Sequence, residues 1–590
     1  MDSQRNFLIA AMLSLAIIFL WQEFIINFRQ DHDTKIEKSE TIDKDELNTI
    51  EKYDDLLSKN SAALTISTSS KNQNETLETR RVVFKSEKLE GTINLRGARI
   101  DDLHLSDYRE TIDSDSPTIR LLKPFSDREA YFAEFGWSSE TVYGALPGPS
   151  TNWTQISKGH LTPENPLILE YANEKSLTFR RMIELDNRYM FSVTDTVLND
   201  GPSPASLKSY GRIARYGEPK VSGIYVLHEG MIGLIGDQNL DEIDYEDIQD
   251  DRRITKDSAN AGWLGITDKY WAAVLVPGQA FVGRYNYYKN NRPFYQTDFI
   301  SDWIMVPSGG ALTISNKLFA GAKKVDIIDR YEVNENIDGL SYLIDWGSFY
   351  FLTKPLFYII DYFFKLFGNF GVAILIVTVL LKILFFPLAN KSYVSMANMK
   401  KMQPEMTSIR KRFSGDMVSL QKAMMELYKK EKINPAAGCW PVLIQIPVFF
   451  ALYKVIYITL EMRHAPFFGW IRDLSAPDPT SLFNLFGLLH YDLPLFLMIG
   501  VWPLLMGMTL FIQMQMNPMP PDRTQQMIFK WMPVVFTFML ATFPSGLVIY
   551  WAWNNFLSII QQGTIMKRQG TKIELWDNLK GLMRKKTDSY

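Results

Sequence analysis

The stretch Gly371–Leu388, GVAILIVTVLLKILFFPL, contains a single charged residue, Lys382. Its length and apolar character predict a helix that spans a membrane. A lysine at that depth costs roughly 2.5–3.5 kcal/mol on insertion scales, so its side chain should face protein or water. Thr378 lies one turn earlier on the same helical face. The two residues together predict a hydrated polar patch below the membrane surface. The alternative to this patch is a lysine side chain that extends to the lipid headgroups on the cytoplasmic side of the membrane.

The 590 residues fall into an acidic part and a basic part. Residues 1–345 hold 38 Lys or Arg against 53 Asp or Glu, whereas residues 346–590 hold 25 against 13. The positive charges of the second part cluster in short loops beside apolar segments, a pattern that indicates membrane topology rather than nucleic-acid binding, and no DNA partner is predicted. Cys439 is the only cysteine, so the large acidic part must fold without a disulfide.

Composition divides the chain into six predicted regions. The apolar segment that follows Arg5 is too long for a signal peptide, so it predicts an uncleaved anchor with a cytoplasmic N-terminus. The regions are, in order, a transmembrane anchor (1–28), a disordered linker (29–79), an all-β domain on the outer side (80–342), an interfacial amphipathic helix (343–368), a five-helix membrane core (369–563) that contains a cytoplasmic helical hairpin (389–433), and a basic cytoplasmic tail (564–590).

Alternating apolar and polar residues dominate the region 80–342. Residues 177–185 and 189–198 predict two strands of a hairpin around the turn Asp186-Asn187-Arg188. Similar runs recur at residues 81–85, 263–277 and 281–288, with Gly, Pro and Asn between them. No segment of helical length shows a helical period. A large β-sandwich is therefore the predicted architecture.

Residues 345–368 admit two interpretations, a membrane span or an amphipathic helix in the outer interface. An anchor that runs outward requires the next span to return inward, so that the basic loop 389–433 lies in the cytoplasm. An added span would place this loop outside, and the interfacial helix is therefore predicted. The spans predicted after the anchor are Gly371–Leu388, Trp440–Leu460, Leu493–Met514, Met527–Phe543 and Gly546–Ile560, which gives six in all with both termini in the cytoplasm.

The hairpin 389–433 is basic and rich in methionine. Ten Lys or Arg stand against four Asp or Glu, and the pattern predicts two amphipathic helices around Phe413-Ser414-Gly415-Asp416. Its seven methionines suit either a surface that receives varied apolar segments or the packed seam between the two helices.

The sequence lacks the common catalytic motifs. It has no phosphate-binding glycine loop, no H-E-x-x-H and no G-x-S-x-G, and its six histidines are scattered. The chain is therefore predicted not to be an enzyme and to need no metal or cofactor. Its spans instead contain several prolines and the amides Gln445, Asn554 and Asn555. Broken helices of this kind, together with Lys382, predict a hydrated cavity within the membrane.

Several motifs of the second half are specific. They are Asn434–Pro441 (NPAAGCWP), residues 443–453 (LIQIPVFFALY), Asp473–Ala476 followed by Asp478-Pro479, and residues 543–551 (FPSGLVIYW) followed by Asn555 and Gln561-Gln562. With these motifs the chain resembles the YidC family of membrane protein insertases. The resemblance covers nearly the whole chain, and the order of its regions is similar to the Gram-negative form with a large periplasmic domain.

This resemblance implies a groove and the residues that line it. The family's groove cation corresponds to Lys382, its substrate-contacting threonine to Thr378, and its aromatic residue on the last span to Trp551 beside Tyr550. With Gln445 and Asn555 these residues form the predicted client-binding groove. Many members of the family have arginine at the position of Lys382, and lysine keeps the charge but not the planar fork. The resemblance also implies a supersandwich fold for the periplasmic domain, similar to that of sugar mutarotases.

The function that these observations predict is insertion and chaperoning of inner-membrane proteins through a hydrophilic groove open to cytoplasm and lipid. The predicted partners are nascent membrane proteins, the Sec translocon, membrane lipids, and the ribosome, which would bind the basic loop and tail. A secondary transporter that uses Lys382 as its substrate or proton site is the main alternative. A carbohydrate-active enzyme housed in the β domain is a further one.

Overall fold

The computed structural model describes residues 80–141, 143–217, 227–413, 415–431, 440–487, 489, 498–517 and 523–570. The predicted anchor and linker, the motif residues 434–439 and the tail beyond residue 570 lie outside these described residues. The chain forms two compact units, and the larger comprises Leu77–Met516 and Phe536–Tyr590. This larger unit contains both the β-sandwich and the candidate site.

Antiparallel strands form two large sheets between residues 81 and 322. The first sheet has the order β1-β2-β3-β5-β10-β17-β16-β13, with β4 beside β3 and β18 beside β10. Its strands are β1 Arg81–Lys85, β2 Leu89–Asn94, β3 Arg99–Arg109, β4 Thr118–Leu122, β5 Tyr131–Ser138, β10 Ala205–Tyr216, β13 Arg253–Thr255, β16 Phe281–Tyr288, β17 Phe294–Ser301 and β18 Ile304–Val306.

The second sheet has the order β12-β11-β14-β15-β19-β9-β8-β7-β6. Its strands are β6 Thr154–Gln155, β7 Leu167–Ala172, β8 Leu177–Leu185, β9 Met190–Asn199, β11 Gly230–Ile235, β12 Asp241–Asp244, β14 Gly262–Thr267, β15 Trp271–Val276 and β19 Gly310–Ala322. The hairpin predicted around Asp186-Asn187-Arg188 is confirmed as the antiparallel pair β8 and β9.

The two sheets pack face to face through large apolar side chains. Phe84 of β1 meets Phe191 of β9 edge to face, with ring centroids 5.4 Å apart. The rings of Trp137 and Phe179, from β5 and β8, lie 5.9 Å apart. Strands that alternate buried and exposed residues place every second side chain in this core. The predicted all-β sandwich is therefore confirmed.

Two helices interrupt the region in which the sequence shows no helical period. They are α1, Tyr245–Asp251, and α2, Val325–Asn334. α1 buries only Tyr245 and Ile248, so it has too few apolar positions to produce a periodic signal. The sequence prediction omits these two short helices, and the β-sandwich around them is as predicted.

The rest of the described chain is helical. The helices are α3 Tyr350–Phe367, α4 Phe370–Leu384, α5 Phe386–Lys401, α6 Gln403–Arg412, α7 Met417–Lys430, α8 Trp440–Ile458, α9 Val501–Met516, α10 Arg523–Leu540 and α11 Ser545–Arg568. α6 ends and α7 begins on either side of the predicted break at 413–416. The first of the two helices predicted for the hairpin 389–433 is itself divided at Met402 into α5 and α6.

Of the helices described, none is by itself both long and apolar enough to meet the criteria for a membrane span. The bent pair α4 and α5 meets them together, and the apolar stretches Gln445–Ile458, Val501–Met516 and Gln526–Leu540 are shorter. The number of spans and the orientation of the chain stay predictions.

Helix α3 has one face toward protein and one face that is exposed and apolar. Thr353, Leu356 and Ile360 are buried. The exposed side carries Tyr350, Phe351, Tyr358, Ile359, Tyr362, Leu366 and Phe367. Aromatic side chains of this kind are enriched at the interface between a membrane and water.

Direct polar contacts join the sandwich to the helical region. Lys454 of α8 pairs with Asp345, with Nζ 2.7 Å from Oδ2. The Glu461 Oε1 atom accepts a hydrogen bond of 3.1 Å from the backbone N–H of Val325, the first residue of α2. The Lys269 ammonium lies 3.4 Å from the ring centroid of Tyr457. These contacts join the sandwich and the segments beside it to the C-terminal end of α8.

Glu461 makes this junction sensitive to pH. Its Oε2 atom is buried and has no hydrogen-bond partner among the described residues. Burial raises the pKa of Glu461 to about 7, against about 4.3 for an unperturbed glutamate. Because the pKa is higher in the folded protein, the neutral carboxyl stabilises the fold below pH ~4.3, and that contribution is lost as the pH rises to ~7.

Glu461→Gln is expected to remove this pH dependence. The variant and the wild type should have equal thermal-unfolding midpoints at pH ~4, because both side chains are then neutral. At pH 8 the variant should be more stable by about 2–4 kcal/mol, since the wild type must hold a buried charge. Unfolding midpoints of the purified protein across this range measure the difference. Glu184→Gln, at an exposed strand position, is the control, and a constant difference between Glu461→Gln and wild type at all pH values would contradict the expectation.

The loop around Asp478 connects the N-termini of α9 and α11 through hydrogen bonds. The buried Asp478 carboxylate accepts hydrogen bonds from Trp470 Nε1 (3.1 Å), the Thr480 N–H (3.0 Å) and hydroxyl (2.7 Å), and the Trp502 N–H (3.0 Å). The N–H groups of Ser545 and Gly546 donate to carbonyls of the same loop, at 2.7 and 2.9 Å. The first N–H groups of a helix have no acceptor within the helix. Oxygen atoms of this loop are the acceptors for α9 and α11.

Candidate functional site

A sharp bend separates α4 from α5. The helix pair is bent by 67° at this break. Pro387, the second residue of α5, lacks an N–H group and cannot continue the hydrogen-bond ladder of α4. Lys382 therefore lies in the last turn of α4, where the unpaired carbonyls favour a positive charge.

A cavity of about 50 Å³ lies beside this bend, among α4, α5, α8 and α11. A water molecule needs roughly 10–15 Å³ of such volume, so the cavity has room for a few. The wall combines one cation with hydroxyls, amides and apolar side chains. It consists of Thr378, Leu381, Lys382, Phe385, Leu388, Ala389, Tyr393, Gln445, Val448, Tyr550, Asn554 and Gln561.

Lys382 is held by a hydroxyl and not by a carboxylate. Its Nζ donates a 2.7 Å hydrogen bond to Ser558 Oγ. The Ser558 hydroxyl in turn donates to the backbone carbonyl of Asn554 at 2.8 Å. In the part of the chain that the structure describes, no acidic side chain forms an ion pair with Lys382. The half-buried ammonium thus keeps donors that can bind an acceptor in the cavity.

The other polar groups of the wall are also oriented by hydrogen bonds. Thr378 is buried, and its hydroxyl donates to the carbonyl of Ile374 at 2.7 Å, which leaves its oxygen lone pairs as acceptors. Gln445 Nε2 of α8 donates to the Tyr550 hydroxyl of α11. This bond joins α8 to α11 at the cavity wall.

The structure brings together four of the six residues predicted for the groove. Those that line the cavity are Lys382, Thr378, Gln445 and Tyr550. Trp551 is not in the wall, and instead packs against Phe449 and Phe536, with ring centroids 4.8 and 5.7 Å away.

Asn555 is also absent from the cavity wall. It is buried on the neighbouring face of α11, with Val548 and Ala552, which pack with Met506 and Leu510 of α9. Its Nδ2 atom has no hydrogen-bond partner within the described residues. One residue along a helix is a rotation of 100°, so Asn554 and Asn555 face different neighbours.

The groove prediction omits Asn554, Gln561 and Tyr393, which line the cavity, and Ser558, which binds Lys382. A signal for three of them is present in the sequence. Asn554, Ser558 and Gln561 follow Tyr550 at intervals of three or four residues, the spacing of one helical face. Tyr393 lies beyond the bend and has no such signal.

The described part of the chain contains no group of three or more His, Cys, Asp or Glu side chains that could hold a metal ion. What the site offers is therefore hydrogen bonding, hydration and one positive charge.

Two family models match consecutive parts of the chain. Residues 81–359 match the YidC periplasmic domain, and residues 362–572 match the 60Kd inner membrane protein family. The two matches together cover most of the chain.

Curated relatives match over nearly the full length. A membrane protein insertase YidC of Brucella suis is 53% identical over 99% of both chains, and one of Rhizobium meliloti is 52% identical over the same shares. A crystal structure of an active YidC insertase with its first transmembrane domain resolved aligns at 16% identity and a TM-score of 0.35, and covers 83% of this chain and 92% of that one. The relatives confirm the insertase prediction and give the transporter alternative no support.

Proposed function

The chain belongs to the YidC family of membrane protein insertases, and from this premise we propose that the cavity beside Lys382 carries the polar part of a client into the inner membrane. Nascent membrane proteins are the substrates of such an insertase. The observation that carries the proposal is a lysine without a carboxylate partner among the described residues, on the wall of a polar cavity.

The physical task is to move a short polar tail or loop of the client through hydrocarbon. Each unsatisfied backbone group there costs several kcal/mol. Thr378, Gln445, Tyr550 and Asn554 offer hydrogen bonds, and water in the cavity can satisfy further groups. The client's polar part thus stays solvated part of the way, while its apolar segment moves past the helices into lipid. Burial of that segment drives the process.

Lys382 gives this cavity a preference for acidic clients. An ammonium that has no carboxylate partner attracts the client's carboxylate strongly, because the surroundings screen charge less than bulk water does. The lysine need only provide charge in this mechanism. The mechanism therefore does not require the planar fork of an arginine.

Further partners follow from the chemistry of the other surfaces. Arg410, Lys411 and Arg412 end α6, and Lys429 and Lys430 end α7; with the basic tail they would bind ribosomal RNA by charge. The exposed aromatic face of α3 would lie in the outer leaflet. Cooperation with the Sec translocon and cytoplasmic placement of both termini complete the proposal.

Asn554→Leu tests the role of the cavity. The change keeps the size of the side chain but removes a hydrogen-bonding group from the wall, so insertion of a client with a polar tail should fall about 2- to 12-fold, the value of one hydrogen bond. The measurement is protease protection of a short single-span client in vesicles with and without the protein.

Phe556→Leu is the matched control, because Phe556 lies on the same helix with an exposed side chain outside the cavity. Equal losses in the two variants would show that the cavity has no special part in insertion. Equal protection in protein-free vesicles would show that this client does not need the protein.

A further inference from the structure

The hydroxyl hydrogen of Ser558 is already used in a hydrogen bond to the backbone. Its oxygen is 2.8 Å from the carbonyl of Asn554, one turn earlier, and the serine is buried. A serine hydroxyl has one hydrogen to donate. Toward Lys382 it can therefore act only as an acceptor, and the 2.7 Å contact must be a bond from the ammonium to the serine oxygen.

This arrangement holds a cation without neutralising it. A buried carboxylate at the same place would form an ion pair, and breaking such a pair costs about 3–5 kcal/mol. A neutral hydroxyl binds an ammonium more weakly than a carboxylate does, because the carboxylate adds the attraction between two opposite charges. An acidic group that enters the cavity can thus replace Ser558 as the partner of Lys382.

Ser558 lies among three of the four helices that surround the cavity. It lies on α11 and binds Lys382 of α4, and Tyr393 of α5 lines the same cavity. Since α5 follows the 67° bend, the serine sits where the two segments of the broken helix and α11 come together. Without it, the four-carbon stem of the lysine could turn toward the headgroups.

We propose that Ser558 is a positioning residue. It keeps the Lys382 ammonium at the cavity wall until a client carboxylate replaces the serine hydroxyl as the partner of the lysine. This inference rests on the proposed function, because it specifies how the groove cation selects acidic clients. It gives Ser558 no contact with the client, only with the lysine.

The test is a double-mutant cycle on Ser558 and Lys382, with insertion in proteoliposomes as the readout. Two clients are compared that differ only in an acidic or a neutral translocated tail, and the quantity measured is the ratio of their insertion rates. Ser558→Ala should lower this ratio about 10-fold or more, as expected for a hydrogen bond to a charged group. Ser558→Thr, which keeps the hydroxyl, should restore it. In a Lys382→Gln background, Ser558→Ala should have no further effect.

Thr564→Ala is the matched control, because Thr564 makes the same bond to the carbonyl one turn earlier on α11 but is exposed. An equal effect of Ser558→Ala with and without Lys382 would mean that the serine only stabilises the helix, and would overturn the inference. If Lys382→Gln lowers the ratio and Ser558→Ala does not, the proposed function stands and the inference fails. If neither change alters the ratio, the electrostatic part of the proposed function fails as well.

Discussion

Lys382→Glu is expected to abolish insertion of a client whose translocated tail is acidic. Two unit charges 4 Å apart interact with about 4 kcal/mol at an effective dielectric constant of 20, and the substitution turns this attraction into repulsion. Even half of the energy difference between this attraction and this repulsion corresponds to a loss of about 100-fold or more in insertion of the acidic client. Lys382→Arg should largely preserve insertion, because the mechanism requires charge and not a particular fork. The measurement is protease protection of the client in proteoliposomes.

Two controls separate charge at the cavity from other effects. Lys365→Glu alters the net charge by the same amount at an exposed position of α3, and it should leave insertion unchanged. A client with a basic tail should be inserted by the Lys382→Glu variant, since the charge of the glutamate and the charge of the tail are then opposite. Equal activity of Lys382→Glu and wild type on the acidic client would refute the electrostatic role.

Local patterns in the sequence predict the β-sandwich well. The hairpin at Asp186-Asn187-Arg188 and the strands Arg81–Lys85 and Phe281–Tyr288 follow directly from alternation and turn residues. The run 263–277 is two strands and not one, with the turn at residues 268–270. Only the order of strands within each sheet lies beyond local patterns, because it depends on contacts between residues far apart in sequence.

The bend in the first helix of the core shows a different limit. Pro387 is visible in the sequence, and a proline inside a helix predicts a kink. The apolar residues around Pro387 nevertheless suggest one straight span through Leu388, because hydropathy carries no information on whether the helix axis changes direction. The structure ends α4 at Leu384, which places Lys382 next to a helix end and beside the cavity.

The residues of the site were only partly predictable for a related reason. Lys382 and Gln445 stand out because polar groups are rare in such apolar segments. On α11, however, every face contains a polar or aromatic residue. The choice of Asn554 over Asn555 requires knowledge of which face meets α4 and which meets α9, and a single sequence does not contain it.

Asp478→Ala is expected to cause the largest loss of stability in the helical region. The buried carboxylate accepts hydrogen bonds from the side chain of Trp470, from the N–H and the hydroxyl of Thr480, and from the backbone N–H of Trp502 near the start of α9. Each buried donor left without a partner costs about 1–3 kcal/mol, and water admitted by the smaller side chain can satisfy some of them. A net loss of about 2–5 kcal/mol is expected. Asp478→Asn should lose less, because it keeps one acceptor oxygen.

The effect of Asp478→Ala should appear as a lower unfolding midpoint of the purified protein in detergent. Asp473→Ala is the matched control, because its side chain lies in the same loop but, among the residues that the structure describes, accepts hydrogen bonds only from Ser475, two residues away. That change should cost about 1 kcal/mol, the value of a local hydrogen bond. The Asp478 loop also supplies acceptors for α11, so Asp478→Ala should loosen the N-terminal ends of both α9 and α11. Their amide hydrogens should then exchange faster near Trp502 and Gly546 than in the wild type. Similar midpoints for the two alanine variants would mean that the loop does not hold the two helices together.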